Sequence, residues 1–438
     1  MKYVCLKLVY VNYKKILESS KGIMEKIRKN VELTVYTLYN FVRKGNVFMD
    51  DYAKKRIHEV IAEAVDGGVT AGISVLVQQG TEEIFYDQQG YADVEAKKKI
   101  ERDTIYRLYS MSKPVTAAAV MILMERGMLD LCQPVSEILP GFGHLMVEEK
   151  DTVRPVRCAL TSLHLLNMTS GYTYGGMDTK GGRMILSYLA ECIRKLGTEQ
   201  EVSTTEFAAH LGSIPLAYEP GTSWSYGLSA DILGAVVEQV SGMRFGDFLE
   251  ENIFGPLGMN DTGFYVPRRK QDRLSRVYES TGDGNMRLFS GYHLVIQNRM
   301  DHRPAFESGG AGLVSTIDDC CRFARMLAQG GTLDGVKIMN RETVRYMTSG
   351  GLTQEQQRAM HEWIGLEGHT YSHLMRIVKD PGMAGTLTEC GEYGWDGWLG
   401  CYFANLPRRD MTILMMQQKK DAGTYHLTRK IRNLILGA

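Results

Sequence analysis

The chain of 438 residues lacks most of the signatures that announce a function. It has no G-x-x-x-x-G-K-[ST] loop and no dinucleotide fingerprint, so nucleotide chemistry has no foothold. It has no G-x-S-x-G elbow, which disfavours an α/β-hydrolase. His361-Glu362 is not followed by a second histidine. His369 and His373 lie four apart without a carboxylate pattern, so no metal site is expected. Net charge is also missing: 51 Lys+Arg face 51 Asp+Glu, so no bulk field draws the chain to nucleic acid. There is no apolar run long enough for a membrane span. The eight cysteines are scattered, with no C-x-x-C, which fits reduced thiols and a cytoplasmic protein.

The balanced charge hides an asymmetry. Residues 1–48 carry ten Lys/Arg and three Asp/Glu, and the remainder carries 41 against 48. Lys7 interrupts the short apolar start, so it does not read as a signal peptide. After it, Ile57, Val60, Ile61, Ala64 and Val65 recur at helical spacing from Met49 onward, and Asp66-Gly67-Gly68 ends that helix. Strands are expected at 72–77 and 82–86, joined by Gln78-Gln79-Gly80-Thr81. The chain reads as helices and long loops over 132–299, and strands return at 399–406 and 411–417 before a helix within 421–436. Strands at both ends with helices between them imply an α/β domain from 49–131 and 300–438, with 132–299 as a mainly helical domain and the site between.

The most informative stretch is Tyr109-Ser110-Met111-Ser112-Lys113-Pro114, which opens an almost wholly apolar run to Met124. Ser110 and Lys113 are three apart and share one face of a helix. A serine hydroxyl needs a base beside it, and a lysine serves only if desolvation or a nearby positive charge lowers its pKa. Pro114 suits a first helical turn, and a helix apolar all round belongs in a core. A further proton-transfer group is expected. Tyr226, in Ser225-Tyr226-Gly227-Leu228, stands before a helix striped by Ile232, Leu233, Val236, Val237 and Val240, which Ser229 could cap. An adjacent ammonium would lower the phenol's pKa. Backbone N–H donors for an oxyanion are sought in Gly391–Gly400, where glycine recurs at every third position.

Together these stretches resemble the serine β-lactamase and penicillin-binding-protein-like superfamily, and most closely its class C β-lactamase-like branch with the family VIII carboxylesterases. Ser110-Met111-Ser112-Lys113 matches the first motif, Tyr226 the second, and Trp395-Asp396-Gly397 takes the place of the third. Leu165–Gly171, Phe254–Met259 and Ser308–Leu313 are also typical of that family, and the resemblance covers about 49–436. It implies an α/β (α+β) fold with a central antiparallel sheet flanked by helices and an inserted helical domain. It also implies an acyl-enzyme on Ser110, proton transfer shared by Lys113 and Tyr226, and an oxyanion held by the N–H groups of Ser110 and Trp398. Trp395, Asp396, Gly397 and Leu228 would line the substrate site, without metal or cofactor. Leu228 stands where β-lactamases carry Asn, and Trp395 where they carry Lys or His, which favours small neutral esters over β-lactams. The alternatives are a D,D-peptidase or D-amino-acid amidase, a weak β-lactamase, or a non-catalytic binding homologue.

The basic extension carries no family motif, so it is expected to be dispensable. A chain beginning at Met49 should keep the activity and melting temperature of the whole; loss of folding on truncation would show that residues 1–48 belong to the core.

Overall fold

The computed structural model describes residues 49–438 apart from Asp151, Asp283, Gly284 and Ile364. The expectation about residues 1–48 lies outside the described residues. Met49–Ala438 is one compact unit.

Helix α1 (Asp51–Asp66) forms where the periodicity places it. The Asp50 carboxylate accepts the Ala53 N–H at 2.6 Å as an N-cap, and Ala53, Ile57, Val60, Ile61 and Ala64 are buried. Gly67 and Gly68 close it, the latter at φ 66°. Strands β1 (Gly72–Gln79) and β2 (Glu82–Asp93) follow as a hairpin, with β3 (Lys98–Lys99) on the outer edge of β2. The expected second strand stops at Tyr86, but the pairing continues, because Gln88 to Gly90 still face Ser74 to Gly72 across the ladder.

The other strands come from the far end of the chain: β4 (His369–Ser372), β5 (Met375–Val378), β6 (Tyr393–Asp396), β7 (Tyr402–Leu406) and β8 (Met411–Gln417). They join in the order β4-β5-β6-β7-β8-β1-β2-β3, antiparallel throughout. Register across the seam pairs Ile73 with Gln417 and Gln79 with Met411. Every residue of β8 is buried, so the centre of the sheet is covered on both faces. Strand β7 starts at Tyr402, later than its sequence pattern suggests. Residues 397–400 instead close a tight turn, with Gly397 N–H donating to Cys401 O at 2.7 Å and Gly400 N–H to Gly397 O at 2.8 Å.

Helix α2 (Lys113–Glu125) is the axis of the core, and every residue from Lys113 to Leu123 is buried. It packs against α3 (Ser229–Ser241), whose Ile232, Leu233, Val236 and Val237 are buried. Ser229 does not cap α3: Leu228 occupies the N-cap position, and the Ser229 hydroxyl is hydrogen-bonded to Ser170 Oγ at 2.8 Å. The stretch 132–299 also holds two small hairpins, Met146–Glu149 with Thr152–Pro155 and Tyr278–Ser280 with Met286–Leu288. Among the described residues no helix is long and apolar enough to cross a membrane.

The last helix, α4 (His426–Leu436), is tied to the sheet through a buried ion pair. Arg432 Nη1 and Nη2 meet the two carboxylate oxygens of Glu392 at 2.7 Å each, and both side chains are at most 3% exposed. Arg432→Met takes from the buried Glu392 charge its bidentate partner and leaves it the Thr388 hydroxyl and the charge of Arg376. It should cost about 3–5 kcal/mol in urea unfolding at pH 7; a loss below about 1 kcal/mol would show that the pair does not anchor α4.

Candidate active site

The site begins with a strained turn. Tyr109 takes φ 46°, a left-handed conformation rare for a bulky residue, and opens the 3₁₀ turn Tyr109–Ser112 that runs directly into α2. Its buried ring packs against Trp398, with centroids 5.0 Å apart. The turn presents Ser110 to a cavity of about 410 Å³ and turns Ser112 into the core. Ser112 is fully buried, and its hydroxyl accepts the Leu313 N–H at 3.1 Å.

Lys113 is fully buried. Its Nζ lies 3.1 Å from Ser110 Oγ, 2.9 Å from Tyr174 Oη and 2.8 Å from Gly310 O. Burial lowers its pKa from 10.5 to about 7, and the carboxylates of Asp231 and Asp396 oppose that shift. A neutral amine has two N–H groups and one lone pair. The Gly310 carbonyl can only accept, so the two hydroxyls share one N–H and the lone pair. This arrangement can take a proton from Ser110.

Asp231 supports the amine from behind. It sits on α3, 3% exposed, and accepts Ser308 Oγ at 2.5 Å and Gly310 N–H at 3.1 Å. Its carboxylate thus fixes the peptide whose carbonyl receives Lys113. A Cβ on Gly310 would come 2.8 Å from Asp231 Oδ2, and one on Gly309 2.3 Å from Ala230 O, so the bend fits only glycines. Burial raises the Asp231 pKa, against the hydrogen bond from Ser308 and the charge of Lys113.

Tyr226 arrives just before α3. A Cβ on Gly227 would lie 2.1 Å from Tyr172 O, and this tight backbone approach sets the Tyr226 and Tyr174 rings 5.5 Å apart. Lys113 Nζ is 4.6 Å from the centre of the Tyr226 ring. Burial works against the expected phenolate: it raises the phenol's pKa and outweighs the hydrogen bonds from Ser110 and Trp395, which favours the protonated form of Tyr226. Trp395 Nε1 donates to Tyr226 Oη at 2.8 Å.

Trp395, Asp396, Gly397 and Trp398 all line the cavity. The glycines of this segment make room for protein backbone: a Cβ on Gly394 would meet Phe403 O at 2.1 Å, and one on Gly397 would meet Leu108 O at 2.2 Å. Gly397 thereby brings the tight turn carrying Trp398 against the turn carrying Ser110. The Trp398 ring is held by a His293 stack at 4.0 Å and by Nε1 donation to Asp421 Oδ1 at 2.7 Å. Burial lowers the His293 pKa to about 4. Leu228, expected at the substrate site, does not line the cavity. Its apolar side chain is 2% exposed and joins the hydrophobic core instead.

Sequence reasoning missed Tyr174, Asp231 and Arg376. Asp231 carried a signal, because an acid in the apolar stripe of a helix is costly unless it has partners. Tyr174 and Arg376 carried none, being one of 23 tyrosines and one residue of a short strand. His369 lines the cavity but its Nδ1 meets Glu367 O at 2.8 Å, and His373 Nδ1 meets Ser372 Oγ at 2.7 Å. Among the described residues no group of His, Cys, Asp and Glu could hold a metal ion.

An antiparallel sheet and a serine–lysine pair facing a cavity are features of penicillin-recognising hydrolases, and the comparisons agree. Residues 57–437 match the Beta-lactamase family, to which the chain belongs; it is a serine hydrolase of that family. Protein Rv1367c of Mycobacterium tuberculosis is 31% identical over 369 residues, covering 82% of this chain and 88% of that one. Esterase EstB of Burkholderia gladioli is 28% identical over 366 residues, covering 79% and 85%. Among solved structures, EstCE1, described as a hydrolase with promiscuous acyltransferase activity, superposes with a TM-score of 0.74 at 26% identity over 88% of this chain and 98% of that one.

The buried amine leaves a thermodynamic mark. Unfolded Lys113 titrates near 10.5 and folded Lys113 near 7, so between these values the unfolded state binds more protons. Wild-type stability should therefore climb with pH from about 7 to 10.5 relative to Lys113→Met. Urea unfolding of both proteins across that window checks this; a pH-independent difference would mean that Lys113 is not desolvated.

Proposed function

We propose that the protein is a carboxylesterase that works through an acyl-enzyme on Ser110. The observation that carries this reading is the buried Lys113 amine, at pKa about 7 and 3.1 Å from Ser110 Oγ, at the wall of the cavity. Ser110 Oγ attacks the ester carbonyl as its proton passes to Lys113 Nζ. The N–H groups of Ser110 and Trp398 hold the oxyanion. Tyr226, kept protonated by burial, gives its proton to the leaving alkoxide and regains one from Lys113. Water then attacks the acyl group, and the same groups return its proton in reverse. Tyr174 shares the Lys113 amine and helps orient its lone pair toward Ser110.

The substrate class follows from what the motifs omit. Leu228 stands in the place of an amide-bearing Asn but is buried, so no side-chain amide there reads a substrate amide. Trp395 replaces the motif cation with an apolar face. Small neutral esters suit this wall better than β-lactams or D-alanyl peptides. The names of EstB and EstCE1, an esterase and a hydrolase, support the same reading. The free state of the described cysteines supports a cytoplasmic location.

A fluorophosphonate probe should add once, on Ser110, and the adduct should vanish in Ser110→Ala while persisting in Ser112→Ala. Wild-type kcat/KM should be higher for p-nitrophenyl butyrate than for nitrocefin or D-alanyl-D-alanine peptides, with an acid limb near pH 7. Tyr226→Phe should lower ester kcat by about 10²–10⁴. Faster turnover of nitrocefin or the peptide than of the ester would replace this reading with the β-lactamase or peptidase one.

A further inference from the structure

One cation in the cavity wall takes no part in that chemistry. Arg376, on β5, lines the cavity and is only 5% exposed. Its Cζ stands 5.7 Å from the centre of the Trp395 ring and 4.8 Å from that of Tyr402, so two aromatic faces hold it. Trp395 offers no acceptor oxygen, and the Tyr402 hydroxyl beside Arg376 already receives Arg432 Nη1. The carboxylate at hand is Asp396, whose Oδ2 is 3.8 Å from Nη1, beyond hydrogen-bond distance, and already accepts the Thr424 hydroxyl. Nη2 is buried with no hydrogen-bond partner among the described residues. A buried donor left unpaired is costly, and a charged one more so.

The neighbouring Arg432 shows the contrast, because both of its terminal nitrogens are matched by Glu392 at 2.7 Å. Formal charge among the acidic and basic residues lining the cavity is balanced: Arg376, Arg429 and Arg432 against Asp396, Glu392 and Asp421. What Arg376 Nη2 lacks is an acceptor oxygen and not a counter-charge. Trp395 links this end to the serine, since its Nε1 donates to Tyr226 Oη at 2.8 Å while Arg376 lies against its ring.

We propose that Arg376 binds a second, uncharged carbonyl oxygen, of a ketone, ester or amide, carried by the substrate at a distance from the scissile ester. The proposal rests on the esterase reading and narrows it to neutral esters with a distal carbonyl. Arg376 is here a specificity-determining residue. The guanidinium needs no reorganisation to receive the oxygen, because the two rings already fix it.

The experiment compares three p-nitrophenyl esters of similar length: hexanoate, 5-oxohexanoate and the glutarate half-ester. Wild type should show a kcat/KM for the 5-oxohexanoate about tenfold or more above hexanoate, the value of one charge-assisted hydrogen bond. The glutarate half-ester should not exceed the oxo ester. Equal rates for hexanoate and 5-oxohexanoate overturn the proposal; a half-ester faster than both overturns it in favour of an anion site. In Arg376→Gln the oxo/plain ratio should fall to about one, and a ratio that survives shows that another group reads the carbonyl.

A second measurement does not depend on turnover or on that variant's folding. Ser110→Ala protein is titrated with methyl 5-oxohexanoate and methyl hexanoate, read by tryptophan fluorescence. The oxo ester should bind about tenfold more tightly; equal affinities overturn the proposal. If no p-nitrophenyl ester is hydrolysed, the esterase reading fails, and this titration, repeated with Ser110→Ala/Arg376→Gln, where the preference should vanish, still decides the role of Arg376.

Discussion

The site depends on keeping water away from one amine. Lys113 sits at the first turn of a helix whose next ten residues are all buried, and that burial, not any charged neighbour, lowers its pKa. The two carboxylates that act on it push the other way. Much of the surrounding architecture serves the desolvation. Helix α3 covers α2 on one side, the Gly309-Gly310 bend closes over Nζ, and the tyrosine pair fills the remaining approach. An alanine at Gly309 or Gly310 would push the bend off backbone or carboxylate, and the carbonyl that orients the amine would move with it.

A second constraint concerns how three distant stretches reach one point. Gly394, Gly397 and Gly227 each stand where a side chain would strike backbone at about 2 Å. The Gly394 contact seats β6 on β7, the Gly397 contact draws the Trp398 turn onto the Ser110 turn, and the Gly227 contact draws Tyr226 onto the Tyr172–Tyr174 segment. The indole of Trp395 then closes the arrangement with its hydrogen bond to Tyr226. The strained φ of Tyr109 is retained because its ring is trapped against Trp398 and His293.

Burial divides the ionisable groups by sign of effect. The same loss of water that lowers Lys113 raises Tyr226, Tyr174 and Asp231. A lysine that is readily neutral beside phenols that are firmly protonated gives a base and acids at one pH. Burial works against a phenolate as the counterpart, contrary to what a lysine–tyrosine pair suggests on paper. In a dry pocket the ammonium that would have lowered the phenol is itself disfavoured.

Spacing along the chain pointed to Ser110 and Lys113, and the family resemblance to Tyr226 and the Trp395–Trp398 segment; the structure brings these residues together. Spacing puts Ser110 and Lys113 on one helical face, and an unbroken apolar run marks a buried helix. Alternation and helical period likewise placed α1, the first hairpin and the last two strands, with errors where the chain turns: Tyr402 rather than Leu399 opens β7, and Leu228, with no side-chain cap, rather than Ser229 takes the N-cap position of α3. Tertiary structure decided what depends on contacts between residues far apart in the chain. Leu228 went to the core, Asp231 met Ser308 and Gly310, and Arg376 met two aromatic rings with its Nη2 left unpartnered. Protonation belongs to that second class too. A pKa is set by which atoms exclude water around a group, and no spacing along the chain records that.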